Sequence, residues 1–430
     1  MAPRVIMSVS INARKRILKY LEQVLDRGMS REQALEAILA GMDQSHRARW
    51  TSLFYGCLRS YRYLLPWIDA IRKSKGSSKK IPRSLELLLL MSAHQLRLMN
   101  SFPAYAVIQE GLKLIPKPLS RLKKYVGFLL REIERSEIKI DTEVTLPEWF
   151  KGEVPDVLGD QFQKELKTRL IDEPSSACYL PRKSPSSKLR NVSGDFYVFD
   201  NLNYSERSSL IEYGAVFGEL LSISMPLRFL GEPKSYLDLC SAPGSKLSVA
   251  LQYYPNCNIW AVEKNSMRYQ VTMDRLQQNP ATNRELNRLK FLQMDALDFL
   301  QEVDKGSMDF ILLDAPCSAL GTLLNHPEFL TYKSEHLNQN LESLQLELLR
   351  HAIPVLKPGG QLIYSVCTFR ENESTKIIEQ CKGEFDNVEL VSDDPLFSET
   401  LYKSKYGQFA WSHDGTANQL FYFQKLIKKA

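Results

Sequence analysis

The sequence has little of what marks a membrane protein or a metal-binding domain. Its seven cysteines and six histidines are scattered through 430 residues, without the close paired spacing that zinc sites use. The longest apolar run, residues 87–91, is far shorter than the ~20 residues that a membrane-spanning helix needs. We therefore expect no metal and no membrane partner, and we expect reduced thiols and a cytoplasmic location.

Positive charge is unevenly distributed along the chain. Residues 1–140 carry 26 Lys and Arg against 11 Asp and Glu, whereas residues 141–430 carry 30 against 39. Clustered basic side chains release counterions from a phosphate backbone, so the asymmetry indicates a nucleic-acid partner for the N-terminal third. A merely solvated basic surface and a protein-interaction module are the alternatives. Only phosphate binding should weaken steeply with salt.

Hydrophobic periodicity divides the chain into three predicted domains. Apolar residues at three- and four-residue spacing predict six or seven helices over residues 12–135. Gly28 separates two of these helices, and Ser30 is a candidate N-cap for the second. After an irregular, proline-containing stretch, the pattern changes to alternating strands and helices. We predict a helical domain over residues 1–139, a connecting subdomain over 140–230 and an α/β domain over 231–430.

The last of these domains carries the clearest strand signals. Helical segments are predicted between them, for example over residues 267–277 and 337–356. The predicted strands are residues 235–239, 258–262, 289–294, 308–313, 361–366 and 388–391. This order implies right-handed crossovers, a mostly parallel Rossmann-like sheet, and a functional site at the carboxyl ends of the strands.

A turn after the first predicted strand is the candidate cofactor site. Residues 236–246, YLDLCSAPGSK, have the pattern of an apolar strand, a turn of small residues and a helix. Gly244 would let the backbone approach a ligand closely. The turn lacks the dinucleotide fingerprint and the phosphate loop, which disfavours those ligands. Glu263 and Asp295 end the next two strands, where a ribose and an adenine would be held, although either acid alone could be a helix N-cap.

Two cysteines follow the fourth and fifth predicted strands. Asp314 and Cys317 belong to the string DAPCS, and Cys367 to YSVCT. A strand-end cysteine is commonly a small buried apolar residue. A pair of thiols that converge beside an acid makes a better case for nucleophilic catalysis.

These strings resemble the motifs of a known family. LDLCSAPGSK, DAPCSALG and YSVCTFRENE are similar to those of the RNA cytosine-carbon-5 methyltransferases, the Sun and nucleolar-protein family, whose members have class I methyltransferase folds. FYGCLRSYRYLLPWID and MSAHQLRLMNSFPAYAVIQEG resemble the NusB-like helical domain. This combination is characteristic of bacterial members that act on small-subunit ribosomal RNA. The resemblance covers about residues 11–135 and 235–373.

The resemblance implies an S-adenosylmethionine-dependent enzyme that acts on RNA, and we expect it to be a monomer. Cys367 would be the nucleophile, Cys317 would assist release of the methylated base, and Asp314 would face the target base. Arg268 lies five residues past Glu263, where the family places an active-site arginine. The implied cofactor residues are Cys240, Ser241, Ala242, Pro243, Gly244, Ser245, Lys246, Glu263, Arg268, Asp295 and Asp314.

The sequence departs from the family pattern at several points. Ser241 and Ser245 replace the usual Ala and Gly, Ala319 replaces a common Gly, and Gly127 replaces an asparagine. Asn372 lies closer to Cys367 than the usual glutamate–asparagine pair, so it is left out of the predicted site. A non-catalytic RNA-binding protein on a methyltransferase scaffold remains an alternative, as do methyltransferases acting on tRNA, on DNA or on small molecules.

Overall fold

The computed structural model describes the chain in two compact units. Among the described residues, the first unit takes in 3–150, 166–170 and 326–331, and the second 151–165, 176–325 and 340–429. The predicted division at residues 139 and 230 stays a prediction. Within these spans the structure describes residues 3–77, 79–99, 101–140, 144, 146–170, 176–181, 186–199, 202–331, 340–397 and 399–429.

The helical prediction for the N-terminal part is confirmed. Ser30 caps the second helix, because its side chain accepts a hydrogen bond from the backbone N–H of Gln33. The apolar run 87–91 is fully buried within the fourth helix and forms the centre of this unit. The helices are α1 Pro3–Arg27, α2 Arg31–Leu39, α3 Gln44–Ser74, α4 Arg83–Arg97, α5 Ala104–Lys113 and α6 Lys123–Arg135.

Residues 176–218, within the predicted connecting subdomain, contain a small sheet that the sequence pattern did not reveal. Its strands are β1 Ser176–Tyr179, β2 Arg190–Ser193, β3 Phe196–Phe199 and β4 Val216–Gly218. They form an antiparallel sheet in the order β2-β3-β1-β4. The helices in this part of the chain are α7 Glu148–Lys151, α8 Gly159–Arg169, α9 Tyr204–Glu212 and α10 Leu220–Ile223.

A nine-stranded mixed sheet forms the centre of the second unit. Its strands are β5 Ser235–Leu239, β6 Asn258–Glu263, β7 Leu289–Gln293, β8 Met308–Asp314, β9 Leu356–Val366, β10 Val388–Val391, β11 Glu399–Ser404, β12 Gly407–Ser412 and β13 Phe421–Lys428. They run in the order β11-β12-β13-β9-β8-β5-β6-β7, with β10 paired to β13. Strands β5 to β9 are parallel, which confirms the α/β prediction, and the remaining four pair antiparallel.

Helices connect the parallel strands and cover the sheet. They are α11 Ser245–Tyr253, α12 Ser266–Gln278, α13 Pro280–Asn283, α14 Ala296–Glu302, α15 Leu341–Val355 and α16 Thr375–Glu384. Strand β5 is buried along its whole length, as expected for a central strand that is covered on both faces. The parallel pairing places Leu239 beside Val262 and Asp314 beside Ser365. The carboxyl ends of these strands therefore lie along one edge of the sheet.

No described helix is long and apolar enough to cross a membrane.

Candidate active site

Two thiol groups meet where neighbouring parallel strands end. Cys317 follows β8 and Cys367 follows β9, and their Sγ atoms lie 3.4 Å apart. Both side chains are partly exposed. The backbone N–H of Gly321 donates a hydrogen bond of 2.9 Å to the carbonyl oxygen of Cys367, so the two turns are also joined through their main chains. The two predicted strand-end cysteines thus form one site.

The environment of Cys317 favours its protonated form. The hydrogen bond with Cys367 raises the pKa of the Cys317 thiol most, and burial together with the nearby charges of Cys367 and Glu373 raises it further. Cys317 is therefore held as a neutral thiol at the end of its strand.

An ion pair lies next to the two thiols. The Nζ of Lys246 is 2.7 Å from an oxygen of Asp314, and the hydroxyl of Ser365 donates to the other oxygen at 2.9 Å. Burial lowers the pKa of Lys246, but Asp314, Asp238 and Cys367 together raise it above its ordinary value. Lys246 therefore stays charged, and its ammonium interacts with Cys367.

The candidate cofactor turn is shaped by its backbone. Gly244 is the N-cap residue of α11 and has a φ of 87°, and a Cβ at this position would lie 2.5 Å from Cγ2 of Thr272. Cys240 has a φ of 60° although it is not glycine. Backbone conformations of this kind are strained and cluster at functional sites. Ser241 and Ser245 donate their hydroxyl hydrogens to the carbonyl oxygens of other segments, at 3.2 and 3.1 Å.

The acid at the end of β6 is buried and bound to this turn. One carboxylate oxygen of Glu263 accepts a hydrogen bond of 3.3 Å from the N–H of Ala242, and the other accepts one of 2.9 Å from Asn265. Arg268 donates to the carbonyl oxygen of Ala242 at 2.7 Å, and its guanidinium lies 3.9 Å from Glu263. The first two strand ends are thus held together by Glu263 and Arg268.

Asp295 at the end of β7 caps a helix. Its side chain accepts a hydrogen bond of 2.9 Å from the N–H of Leu297, as an N-cap does. Its other oxygen is 2.7 Å from the ammonium of Lys264, and the hydrogen bond from Lys264 lowers the pKa of Asp295. The helix-cap interpretation of this acid is therefore correct. Its position on the cavity described next still allows it to contact a ligand.

A cavity of about 590 Å³ opens at the carboxyl ends of β5, β6 and β7. This volume lies in the usual range for small-molecule sites. Four of the predicted cofactor residues line it, together with residues that sequence reasoning missed. The lining residues are Cys240, Val262, Glu263, Lys264, Asn265, Ser266, Arg268, Met294, Asp295, Ala296, Pro316, Leu344 and Leu348.

Two groups among the missed residues gave different signals in the sequence. Lys264, Asn265 and Ser266 directly follow a predicted site acid, so their proximity was a signal in the sequence. Leu344 and Leu348 lie on α15, far along the chain, and apolar helix positions of this kind look like ordinary core residues. Within the described residues, no cluster of three or more His, Cys, Asp or Glu side chains could hold a metal ion.

Comparison with known families agrees with this arrangement. The fold is that of a class I methyltransferase with an added helical domain. It combines a helical part with a parallel sheet that has a cavity and an adjoining thiol pair at its edge. Residues 230–426 match the family described as 16S rRNA methyltransferase RsmB/F, and residues 11–135 match the NusB family. The chain therefore carries an RsmB/F-family methyltransferase domain over residues 230–426 and a NusB-family domain over residues 11–135.

Several individual proteins are similar to the chain over most of its length. The Ribosomal RNA small subunit methyltransferase B of Yersinia enterocolitica is 26% identical, over 98% of this chain and 100% of that protein. The protein of the same name from Klebsiella pneumoniae is 25% identical, over 89% of this chain and 92% of that protein. The crystal structure of PH0851 has a TM-score of 0.69 at 20% identity and covers 98% of both chains, which supports the fold.

Proposed function

We propose that this protein transfers a methyl group from S-adenosylmethionine to carbon 5 of a cytosine in RNA, with Cys367 as its covalent nucleophile. The observation that carries the proposal is the separation of 3.4 Å between the Sγ atoms of Cys367 and Cys317 at adjacent strand ends. Two thiols at this distance, beside an ion pair and a cavity, suit a reaction in which one sulfur bonds to a ring and the other handles a proton.

Cys367 would supply the covalent step. Carbon 5 of cytosine is a poor nucleophile. Addition of a Cys367 thiolate to carbon 6 turns the ring into an enamine whose carbon 5 can accept a methyl group, so one difficult step becomes two easier ones. Lys246, whose ammonium interacts with Cys367, favours the thiolate that this addition requires.

Cys317 would complete the reaction. After methylation, carbon 5 still carries its original proton, and the bond between carbon 6 and sulfur breaks only when that proton is removed. Cys317 first gives its own proton to solvent. Its thiolate then accepts the carbon 5 proton, directly or through a bound water, and the electron pair of the carbon–hydrogen bond restores the ring double bond as Cys367 leaves. Because its environment raises the pKa of Cys317, Cys317 is a strong base once it is ionised.

Asp314 is our candidate for the group that faces ring nitrogen 3. One of its oxygens is bound to Lys246 and the other to Ser365, so its orientation is fixed before any base arrives. Asp314 thereby holds the ammonium of Lys246 in place. During thiolate addition, this ammonium would donate a proton or a hydrogen bond to the ring. Removal of Asp314 should therefore slow the addition step.

The cavity beside the thiols suits the proposed cofactor. Its buried carboxylate, Glu263, lies at the end of the second strand, where ribose hydroxyls are held in this class of fold. Asp295 and Met294 on the cavity wall would adjoin the adenine, and the turn at Gly244 would approach the amino-acid part. When bound, S-adenosylmethionine supplies a methyl group activated by its positive sulfur.

RNA is the proposed substrate, and small-subunit ribosomal RNA the proposed class. The basic composition of residues 1–140 and the match of residues 11–135 to the NusB family support RNA binding. The names of the relatives support the ribosomal class. A base must leave its stack to reach the thiols, which costs least for an unpaired nucleotide, so we propose an exposed cytosine. The cytoplasmic location stays a prediction from the reduced cysteines.

Two cysteine variants and one control test the chemistry. With cofactor and small-subunit RNA, Cys367→Ser should abolish methylation and leave cofactor binding within about twofold of wild type. Cys317→Ala should accumulate a covalent protein–RNA complex, visible as a shifted band on a denaturing gel. Cys381→Ala, which changes a buried cysteine on α16 outside the site, should do neither. Full activity of Cys367→Ser would refute the nucleophile assignment.

Bisulfite sequencing of cellular RNA tests the substrate. Loss of the gene should remove 5-methylcytosine at a defined position of small-subunit ribosomal RNA. Loss at a tRNA position instead would redirect the proposal to tRNA. Wild-type protein that binds RNA but neither methylates it nor forms an adduct would favour the non-catalytic scaffold.

A further inference from the structure

The turns that carry the two catalytic cysteines are joined by one buried carboxylate. Glu373 is 0% exposed, and one of its oxygens accepts a hydrogen bond of 2.6 Å from the backbone N–H of Ser318, the residue after Cys317. Glu373 itself lies six positions after Cys367, in the 3-10 turn that follows β9. Its side chain thus reaches from one cysteine turn into the other.

The remaining bonds of this carboxylate fix its position. Gln345 on α15 donates to the same oxygen at 3.3 Å and also to the carbonyl oxygen of Pro316 at 2.8 Å. Arg370 donates to the second oxygen at 3.0 Å. The hydroxyl of Tyr364 donates to the backbone carbonyl oxygen of Glu373 at 2.7 Å. Glu373 is therefore held from three directions, and the Cys317 turn is held through it.

We propose that Glu373 is a positioning residue for the methyl-transfer reaction: it sets the separation of the two sulfur atoms and places a buried negative charge beside the turn that carries Cys317. This inference rests on the proposed function, because it assigns Cys367 and Cys317 the roles given above. It extends that function to a residue that touches neither the cofactor nor the base.

The charges around the two thiols explain why a carboxylate is needed. Lys246, in its ion pair with Asp314, interacts with Cys367, and buried Tyr364 interacts with Cys317. Glu373 adds a negative charge on the Cys317 side, while Arg370 bridges it to Glu153 at 2.7 Å. The Cys367 turn therefore faces an ammonium and the Cys317 turn a carboxylate, so the two thiols lie in different electrostatic environments.

Spacing in the sequence agrees with this role. Asn372, which departs from the usual family position, is exposed and bonds only to Lys376 in the described structure, at 2.9 Å. The neighbouring Glu373 points inward. The segment after Cys367 therefore presents an acid to the site, and this acid was not among the predicted residues.

Glu373→Gln tests the inference, because it keeps the shape and removes the charge. An amide oxygen can accept at only one of the two positions, so the amide N–H₂ would face either Ser318 or Arg370, both of which are donors. Glu399→Gln is the matched control: Glu399 is equally buried, pairs with Arg228 at 2.7 Å, and accepts backbone hydrogen bonds from Leu396 and Phe397 at 2.8 and 2.6 Å.

Two readouts separate positioning from stability. In full-length protein with cofactor and small-subunit RNA, Glu373→Gln should slow decay of the covalent complex at least about tenfold, as expected for a misplaced catalytic group, with the KM for RNA nearly unchanged. In a Cys367→Ser background, the pH midpoint for alkylation of Cys317 by iodoacetamide should shift to lower pH. Glu399→Gln should lower the melting temperature to a similar degree and move neither readout.

A second variant covers the case in which Glu373→Gln does not fold. Thr368→Val removes the hydrogen bond of 2.9 Å between the hydroxyls of Thr368 and Ser318, which also joins the two turns, and keeps every charge. It should slow release without moving the alkylation midpoint. The inference is overturned if Glu373→Gln, or Thr368→Val in its place, releases product at the wild-type rate.

The two proposals fail in different ways. Wild-type protein that neither methylates RNA nor forms an adduct overturns the proposed function, whereas the alkylation midpoints measure the effect of Glu373 on Cys317 without any substrate. An active wild type whose alkylation midpoint is unchanged by Glu373→Gln overturns the inference alone.

Discussion

Gly244→Ala should be among the most destabilising single-methyl changes in the methyltransferase domain. Its φ of 87° is costly for any residue with a Cβ, by about 1–2 kcal/mol. The new Cβ would also lie 2.5 Å from Cγ2 of Thr272, and overpacking of this kind adds about 1–3 kcal/mol. We therefore expect a loss of about 2–5 kcal/mol in the free energy of unfolding.

Two further variants separate these contributions. Gly306 has a φ of 68°, and a Cβ added to it would meet no atom within 4 Å, so Gly306→Ala should cost only the conformational part, about 1–2 kcal/mol. Thr272→Ser deletes the clashing Cγ2 and keeps the hydroxyl, which donates to the carbonyl oxygen of Arg268 at 2.9 Å. It should recover the overpacking part when combined with Gly244→Ala.

Urea unfolding of these variants, of the double variants and of the wild type, followed by tryptophan fluorescence, measures the coupling. We expect a coupling free energy of about 1–3 kcal/mol between Gly244→Ala and Thr272→Ser, and none between Gly306→Ala and Thr272→Ser. Additive effects at Gly244 and Thr272 would show that the turn relaxes around the new methyl group. The close approach of α11 to α12 would then not explain why glycine occupies position 244.

Four shorter predictions concern the site itself. Lys246→Met should slow formation of the covalent protein–RNA complex at least about tenfold, because it removes a nearby cation that favours the thiolate. Quench-flow followed by denaturing gels measures this rate, and an unchanged rate would contradict the role of the ammonium. Diamide should couple Cys317 and Cys367, whose Sγ atoms are 3.4 Å apart, and non-reducing peptide mapping should find this disulfide before any other. Ala319 has a φ of 58°, so Ala319→Gly should stabilise the protein by about 0.5–1 kcal/mol, measured as a higher melting temperature; a lower one would refute the strain. Burial raises the pKa of Asp238 to about 8, so the folded state holds a proton that the unfolded state loses near pH 4. The free energy of unfolding should therefore fall as the pH rises from about 4 to 8, and Asp238→Asn should flatten this dependence in urea titrations.

The sequence was informative wherever local chemistry determines structure. Four of the five parallel strands were predicted to within one residue at each end, because buried apolar runs between turns have few alternatives. The fifth, β9, was predicted to begin at residue 361 but begins at Leu356. The helix start at Ser30 followed from capping chemistry. The thiol pair was predicted because parallel strands that are adjacent in a sheet end at the same edge.

What the sequence did not reveal depends on contacts between distant segments. Strand β11 pairs with β12, β12 with β13 and β13 with β9, all antiparallel, and nothing local in residues 399–428 marks them as part of the same sheet. Glu373 looked like one charge in an acidic run, and only its bond to Ser318, 55 positions earlier, reveals a link between turns. Burial of a charged residue is a tertiary property that composition does not encode.

Charge balance ties the cofactor turn to the thiols. The Lys246 ammonium is the cation that interacts with Cys367, yet Asp314 is bound to it and Asp238 lies close enough to raise its pKa. If both acids were ionised, they would outweigh the ammonium and oppose a thiolate nearby. Neither carboxylate oxygen of Asp238 has a hydrogen-bond partner among the described residues, and burial raises its pKa to about 8. Asp238 is thus largely neutral near pH 7, so Lys246 offsets Asp314 alone. The Cys367 thiolate of the proposed reaction would therefore form against one fewer negative charge.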